Sequence, residues 1–303
     1  MEIKKIELNT IYNMDCLKGM ALISDKSIDC IICDLPYGTT ACGFDTIIPL
    51  NDYVVIGRKK YDREKYVQYA YSHNISYQSA VEYFNTNKQL GLWSHYKRII
   101  RDDGAIVLFG AEPFSTMLRN SNMEMYKYDW IWKKNTVDGF FNSKCRPLKT
   151  IENISVFSKK QARAKGDNMR YFPQGLIEVN SVHKESRKNT NDGHSYYRPG
   201  TEDKEYIQQY KNYPIEILEY KRDTDKLHPT QKPVALIEYL INTYTRPGET
   251  ILDNCMGSGS TAIACINTGR NYIGFELDTN YFDASNHRIQ QHKASLTEVC
   301  NDE

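Results

Sequence analysis

Residues 250–261, TILDNCMGSGST, decide the fold, because they combine a strand, a glycine-rich turn and the start of a helix. The apolar start of the segment favours a strand, and the helix that follows is expected to end near Gly269. Gly257 and Gly259 lack Cβ atoms, so the backbone of the turn can approach a small ligand closely or take positive φ. The segment therefore predicts a ligand-binding turn at the carboxyl end of a strand.

A second strand-to-turn segment, DLPY at 34–37, closes the apolar run 28–33. Pro36 stiffens this turn and pushes Leu35 toward an extended conformation. The Asp34 carboxylate and the Leu35 carbonyl oxygen are candidate acceptors for the two hydrogens of an amino group. Such acceptors stabilise charge where it develops during attack by the nitrogen. Tyr37 is a candidate stacking partner for the ring that carries the amino group.

Strands and helices alternate along most of the chain. This order predicts an α/β fold, with a mostly parallel sheet covered by helices on both faces. Ligands of such sheets bind at the carboxyl ends of the strands, where both turns lie. We predict strands at 10–15, 28–33, 105–110, 126–133, 152–158, 250–254 and 271–277, and helices up to about 24, over 92–100, 233–244 and 260–268, and from 279 onward.

Composition is that of an ordinary globular protein, with 40% hydrophobic and 25% charged residues among 303. No apolar run is long enough to span a membrane and the first residues lack a signal-peptide core, so a cytoplasmic protein is expected. The net charge of +1 gives no global electrostatic case for nucleic acid. The one CxxC pair, Cys30 and Cys33, lies in a predicted strand, which favours buried thiols over a zinc site.

Two segments are too polar for the core of the sheet. Residues 51–90 are rich in tyrosine and read as an insertion, which leaves a DNA contact, a subunit interface and a solvated helical insert all open. Residues 159–226 have few aliphatic side chains and read as a second, less regular lobe. This lobe begins with a cluster of basic residues that suits phosphate contacts, namely Lys159, Lys160, Arg163, Lys165 and Arg170.

Together these motifs resemble those of the β-class amino-methyltransferases of DNA, which depend on S-adenosylmethionine (AdoMet). DLPY resembles the family tetrapeptide [D/N/S]-P-P-[Y/F/W], and DNCMGSGST resembles the family loop D-P-F-x-G-S-G-T-T. The permuted order, with the tetrapeptide first and the loop last, is that of the β-class. HPTQKP at 228–233 matches a further family segment closely, and NMDCL at 13–17 resembles another.

The resemblance covers about 8–50, 91–158 and 226–292. It implies the Rossmann-like AdoMet-dependent methyltransferase fold, with a mostly parallel seven-stranded sheet and a smaller target-recognition region. The domains expected from it are a catalytic half at 1–158 with the insertion, a target-recognition region at 159–226, and an AdoMet-binding half at 227–303.

The resemblance also implies roles for single residues. Asp15 would read the adenine ring of AdoMet, Glu276 would take its ribose hydroxyls, and Asp253 would attract its amino group. Thr230 and Lys232 would bond its carboxylate. The full set of expected AdoMet contacts is Asp15, Cys16, His228, Thr230, Lys232, Asp253, Cys255, Gly257, Ser258, Gly259, Ser260 and Glu276.

The activity implied is methyl transfer from AdoMet to N6 of an adenine flipped out of double-stranded DNA, with Asp34, Leu35, Pro36 and Tyr37 as the catalytic tetrapeptide. No metal is needed, because the sulfonium is already an activated methyl donor. Asp at the first motif position resembles the adenine-N6 enzymes, whereas cytosine-N4 enzymes more often carry Ser there. Expected DNA contacts are the five basic residues of the cluster and Arg198.

The sequence leaves several alternative functions open. Cytosine-N4 methylation needs the same fold and mechanism, and methylation of RNA or of a protein glutamine is disfavoured by the motif order. A nucleotide-dependent oxidoreductase would need a third glycine in the turn. A DNA-binding module without activity is disfavoured by the intact tetrapeptide. The sequence leaves open whether the protein forms a homodimer and whether a cognate restriction endonuclease accompanies it.

Overall fold

The computed structural model describes residues 5–38, 45–184, 205–224 and 231–301. The chain divides into two compact units. One comprises Met1–Phe172 and Glu216–Glu303, and the other comprises Pro173–Ile215.

The described residues form strands and α-helices that follow the predicted order closely. The strands are β1 (Thr10–Asn13), β2 (Ile28–Asp34), β3 (Tyr53–Ile56), β4 (Lys59–Asp62), β5 (Ile100–Gly110), β6 (Tyr126–Asp138), β7 (Lys149–Phe157), β8 (Ile177–Lys184), β9 (Glu205–Lys211), β10 (Ile217–Glu219), β11 (Thr250–Asp253) and β12 (Asn271–Glu276). The helices are α1 (Cys16–Ala21), α2 (Arg63–Ser72), α3 (Tyr77–Asn87), α4 (Leu92–Ile99), α5 (Phe114–Ser121), α6 (Val234–Tyr244), α7 (Ser260–Asn267) and α8 (Thr279–Asn301).

The central sheet has eight strands in the order β1-β12-β11-β2-β5-β7-β6-β10. All neighbours pair in parallel except β7, which runs antiparallel to both β5 and β6. The predicted α/β class with a mostly parallel sheet is confirmed. The predicted number of seven strands is wrong by one, because the three-residue β10 is too short to leave a periodic pattern.

The sheet is buried on both faces. Successive side chains of a strand point to opposite faces, so one strand contributes to the core on each side. In β2, Cys30 and Ile32 belong to the core under α6 and α7. Ile31 and Cys33 belong to the core under α1 and α4. All four side chains are at most 1% exposed. Truncating Ile31 to alanine would remove about 2–5 kcal/mol of stability.

The strands that carry both predicted motifs end at one edge of the sheet. Because β1, β12, β11, β2 and β5 are parallel, their last residues share the carboxyl edge. Asp34, Asp253 and Glu276 each close one of these strands. This edge is therefore where the candidate site is assembled.

The insertion at 51–90 folds around a small core of its own. It contains the β3–β4 hairpin and helices α2 and α3, which bury Val54, Tyr66, Ala80 and Phe84 between them. Tyr66 stacks on Tyr83 with ring centroids 5.3 Å apart. Part of its tyrosine content is thus explained by packing within the insertion.

The second unit is narrower than the predicted lobe 159–226. Residues 159–172 pack with the main unit, and β10 joins the central sheet beside β6. What remains, 173–215, is built on the antiparallel hairpin of β8 and β9.

Across the described ranges, we find no helix whose length and apolarity would let it cross a lipid bilayer. The same part of the chain holds no group of three His, Cys, Asp or Glu side chains arranged to bind a metal ion.

Candidate active site

Asp34 lies at the carboxyl edge of the sheet, with a protein donor on each carboxylate oxygen. The Tyr37 hydroxyl donates to Oδ1 over 2.7 Å, and the Lys232 ammonium donates to Oδ2 over 2.5 Å. The Tyr37 ring stacks on Phe114, with centroids 5.1 Å apart and planes 25° apart. Leu35 is buried and anchors the turn in the core. Each carboxylate oxygen has two lone pairs, so Asp34 can still accept a hydrogen from an incoming amino group.

Lys232 brings a positive charge to this carboxylate from 198 residues further along the chain. Burial raises the pKa of Asp34, and the Lys232 ammonium works against that rise. Burial would lower the pKa of Lys232, but the carboxylates of Asp34 and Glu152 raise it above the ordinary lysine value. The two charges therefore stabilise each other, and Lys232 lies beside the tetrapeptide. Its expected bond to the AdoMet carboxylate stays a prediction.

Glu152 and Lys134 stand behind Lys232, and nothing in their local sequence pointed to the site. Lys232 Nζ lies 3.3 Å from Glu152 Oε2, and Lys134 Nζ lies 3.1 Å from Glu152 Oε1. Glu152 opens the predicted strand 152–158, and Lys134 directly follows the predicted strand 126–133. Neither strand pattern indicates a site residue.

Asp253 holds the glycine turn together from inside. Its Oδ1 accepts the Cys255 amide over 3.0 Å and its Oδ2 accepts the Thr261 hydroxyl over 2.6 Å. The side chain is buried, and burial raises its pKa to about 6. Each oxygen keeps a second lone pair, so the expected contact with the ligand amino group stays a prediction.

Glu276 links the turn to the neighbouring strand and faces its open side. Its two oxygens accept the amides of Gly257 and Asp278 over 2.8 and 2.9 Å. Burial raises the pKa of Glu276. Gly257 has φ of +53°, and a Cβ placed there would meet only the Cys255 carbonyl oxygen, at 3.8 Å. The turn thus presents backbone and a carboxylate to open space.

Ser258 and Ser260 are tied to helix α8. Arg288 on α8 donates to the Ser258 carbonyl and to the Ser260 hydroxyl, each over 3.0 Å. Both serines are buried. Gly259 has φ of +79° and packs against Ser285 of α8. Ser258, Gly259 and Ser260 therefore support the turn through α8, and their expected contacts with AdoMet stay predictions.

Asp15 acts as the N-cap of α1. Its Oδ1 accepts the amides of Leu17 and Lys18 over 2.9 and 3.1 Å, while Oδ2 takes no part in the cap. Cys16 is buried, and its thiol is hydrogen-bonded to that of Cys255. Cys30 and Cys33 are both buried free thiols, which confirms the interpretation of the CxxC pair. Burial raises the pKa of the Cys33 thiol to about 12.

Three predicted site residues, His228, Thr230 and Arg198, lie outside the described residues.

The basic cluster lies at the amino edge of the sheet, away from Asp34. Arg170 is held between Asp103, Asp29 and Glu249 at 2.7, 3.2 and 2.5 Å. Asp29 and Glu249 stand where β2 and β11 begin, and β7 runs back to this edge because it is antiparallel. Lys159 pairs with Asp102, Lys160 pairs with Asp167, and Arg163 and Lys165 are exposed.

The phosphate contacts expected of the cluster stay a prediction. A run of basic residues does not reveal which of them are paired, and here three of the five hold neighbouring segments together.

A different surface at the carboxyl edge combines aromatic rings with positive charge. The connection between β6 and β7 exposes Phe140 and Phe141, the latter fully. Lys144 and Arg146 follow, both exposed, and Lys149 donates to the carbonyl of Glu112 just beyond β5. We name residues 139–148, together with Lys149 as the first residue of β7, the β6–β7 loop. Stacking rings beside cations suit nucleic acid, and the sequence reasoning missed this surface.

The family of this chain is established by a match over most of its length. Residues 28–287 match the N6/N4 methyltransferase family, described as DNA methylase. The chain belongs to the DNA methylase family. The predicted membership of the DNA amino-methyltransferases is thereby confirmed, and this DNA methylase carries the permuted motif order.

Individual relatives agree with the family. Type II methyltransferase M.HinfI of Haemophilus influenzae is 26% identical over 301 residues, which cover 96% of this chain and 71% of that protein. A protein named as a methylase, YubD of Escherichia coli (strain K12), is 40% identical over 74 residues. That match spans 24% of this chain and only 33% of YubD.

Solved structures show the same fold. The complex of M1.HpyAVI with SAM superposes with a TM-score of 0.50 at 20% identity, covering 92% of this chain and 98% of that one. The cytosine-N4-specific PvuII DNA methyltransferase gives a TM-score of 0.54 at 14% identity, covering 99% of this chain and 95% of that one. At such identities the likeness establishes the fold of this DNA methylase, the methyltransferase fold that the sequence predicts.

Proposed function

We propose that this DNA methylase transfers a methyl group from AdoMet to N6 of an adenine that has left the DNA duplex. The observation that carries the choice of adenine is Asp34 at the first position of the tetrapeptide. Its carboxylate lies at the carboxyl edge and is supplied with a counter-charge by Lys232. Family membership supports DNA as the substrate.

The residues of the glycine turn fit AdoMet. Gly257 leaves open space at positive φ, and the Glu276 carboxylate stands beside it as an acceptor for ribose hydroxyls. Asp15 keeps Oδ2 outside the cap of α1, where it can read an exocyclic amino group. The solved complex of M1.HpyAVI with SAM supports the same cofactor here.

Bound AdoMet supplies an activated methyl group, so the protein's part is to orient and polarise the adenine. The amino nitrogen of adenine is a poor nucleophile, because its lone pair is delocalised into the ring. Asp34 Oδ1 accepts one N–H, and the Leu35 carbonyl oxygen accepts the other. Both acceptors stabilise the positive charge that develops on the nitrogen as it attacks. Oδ1 is also placed to take the proton that the methylated nitrogen releases.

Tyr37 has to give way when the base arrives. In the structure its hydroxyl occupies Asp34 Oδ1, the oxygen that faces away from Lys232. Entry of the adenine amino group replaces this hydrogen bond by another of similar kind. The Tyr37 ring then supplies the aromatic face against which the flipped base stacks.

The β6–β7 loop is the face of the main unit that we assign to DNA. Its exposed rings can stack on bases, and Lys144, Arg146 and Lys149 can contact phosphates. It shares the carboxyl edge with Asp34, so a duplex on this loop lies beside the catalytic carboxylate.

We also infer that the separate unit 173–215 reads the target sequence. Its β8–β9 hairpin is a two-stranded ribbon, an element that fits the major groove. Exchanging 177–211 for a glycine-serine linker is expected to abolish DNA methylation and to leave AdoMet binding intact, as measured by calorimetry. A homodimer and a companion endonuclease stay predictions of the sequence.

The experiment that tests the proposed function uses unmethylated genomic DNA and AdoMet, with mass spectrometry of the digested nucleosides. Wild type is expected to produce N6-methyladenine and the Asp34→Ala variant to produce none. N4-methylcytosine from the wild type would move the substrate to cytosine with the same fold. No modified base from a protein that binds AdoMet would overturn the assignment of DNA as substrate.

A further inference from the structure

We propose that Glu152 and Lys134 are positioning residues that act on the catalytic carboxylate through Lys232. The proposal rests on the proposed function, because it assumes that Asp34 accepts the target amino group. It concerns a chain of alternating charges that begins at Asp34 and ends at the protein surface, and we call this set of residues the ion chain.

The ion chain is continuous over four contacts. Each ammonium group in it lies between two carboxylates. The successive distances are 2.5 Å from Asp34 Oδ2 to Lys232 Nζ, 3.3 Å from Lys232 Nζ to Glu152 Oε2, 3.1 Å from Glu152 Oε1 to Lys134 Nζ, and 2.5 Å from Lys134 Nζ to Asp138 Oδ2. Arg222 closes the far end with a 2.8 Å contact to Asp138.

The middle of the ion chain is shielded from water. The side chains of Lys134, Lys232 and Glu152 are 3%, 6% and 12% exposed, whereas that of Asp138 is 42% exposed. Charges interact much more strongly where water is excluded. A change at Lys134 is therefore felt at the catalytic carboxylate with little screening.

The sheet brings these residues to the catalytic edge. β7 runs antiparallel beside β5, so Glu152 near its start lies next to the carboxyl end of β5. β6 pairs with β7 and places Trp132, two residues before Lys134, opposite Glu152. Lys232 arrives from the segment that precedes α6. Three distant parts of the sequence thus converge behind one carboxylate.

Stability alone gives a poor reason for these charges. A buried ion pair stabilises a fold no better, and often less well, than apolar side chains of similar volume. The ion chain does have a chemical effect on the site. Burial would raise the pKa of Glu152, but the ammonium groups of Lys232 and Lys134 hold it below its ordinary value, so Glu152 is charged. Glu152 in turn pushes the pKa of Asp34 upward, against Lys232.

The signs of the expected effects follow. Removing the charge of Glu152 leaves Lys232 to Asp34 alone, which favours the ionised form of Asp34. Removing the charge of Lys134 leaves Lys232 as the only ammonium group of the ion chain beside Glu152. Glu152 then draws more on Lys232, which favours the protonated form of Asp34. Asp34 has to be ionised to accept an N–H, so its titration sets the acid limb of the rate profile.

The test is the single-turnover methylation rate as a function of pH, on the genomic DNA that the wild type methylates. Glu152→Gln is expected to move the acid limb to lower pH, and Lys134→Met to move it to higher pH. Lys134→Arg keeps the charge and should return the limb to the wild-type position. Lys133→Met is the matched control, since Lys133 is 53% exposed and pairs with Glu219 on the surface.

Opposite displacements of the two limbs, with thermal melts that show folded protein, would support the proposal. Limbs that coincide with the wild-type limb would overturn it, as would equal losses of rate at every pH. A wild type that methylates no DNA gives no profile at all and overturns the proposed function itself. The two failures are therefore distinguishable.

Discussion

Replacing Asp34 by asparagine changes the catalytic group with almost no change in volume. Lys232 Nζ lies 2.5 Å from Oδ2 and has only hydrogens to offer. In the Asp34→Asn variant the amide oxygen must therefore face Lys232, and the NH₂ group faces Tyr37 and the incoming base. The site then presents a donor where the adenine amino group needs an acceptor.

The size of the effect follows from that reversal. One lost acceptor that acts on charge in the transition state costs about 2.7–4 kcal/mol, which corresponds to roughly 10²–10³-fold in rate. We expect a single-turnover methylation rate reduced by about this factor. AdoMet affinity should stay unchanged, because Asp34 bonds to Tyr37 and Lys232, whereas the glycine turn is held by the bond from the Gly257 amide to Glu276.

The assay is a rapid-quench measurement of methyl transfer to genomic DNA with enzyme in excess. Asp25→Asn is the matched control, since the Asp25 side chain is 72% exposed and pairs with Arg98 on the surface. An Asp34→Asn rate within about tenfold of wild type would refute the reasoning, because the lost contact would then be worth less than about 1.4 kcal/mol.

Three further variants test other parts of the molecule. Glu276→Gln should weaken AdoMet binding about 10–100-fold by calorimetry, since it removes a charged hydrogen-bond acceptor. Unchanged binding would show that the Glu276 carboxylate does not contact AdoMet. Phe141→Ala should weaken DNA binding by about 1–3 kcal/mol in a fluorescence titration, whereas Met123→Ala, an exposed apolar control, should not. Arg170→Met should lower the free energy of unfolding by about 1–3 kcal/mol in urea, since it strips three carboxylates of their partner. A loss of DNA affinity without loss of stability in that variant would instead support the predicted phosphate contact of Arg170.

Local patterns in the sequence were sufficient for most of the fold. Two apolar strands are each followed by a turn that is marked in the sequence, by Pro36 after 28–33 and by Gly257 and Gly259 within 250–261. The end of each strand and the position of its motif could therefore be predicted together. The antiparallel β7 and the edge strand β10 were not, since strand direction and three-residue strands leave no periodic signal.

The candidate site also contains residues that the sequence predicts and residues that only tertiary contacts bring together. Asp34 and Glu276 are visible from sequence because each closes a strand beside a family motif. The pairing of Lys232 with Asp34, 198 residues away, depends on tertiary contacts that no local pattern contains. Arg170 likewise shows what the sequence does not contain, because its three carboxylate partners, Asp29, Asp103 and Glu249, come from distant parts of the chain.

The most direct measurement is a crystal structure of the protein with a duplex that carries its mapped target and a non-reactive AdoMet analogue. The predicted result is an extrahelical adenine whose amino nitrogen lies about 2.7–3.2 Å from Asp34 Oδ1, with the Tyr37 hydroxyl displaced from that oxygen. A target base that stays stacked in the duplex, or an amino group held by residues other than Asp34, would contradict the proposed mechanism.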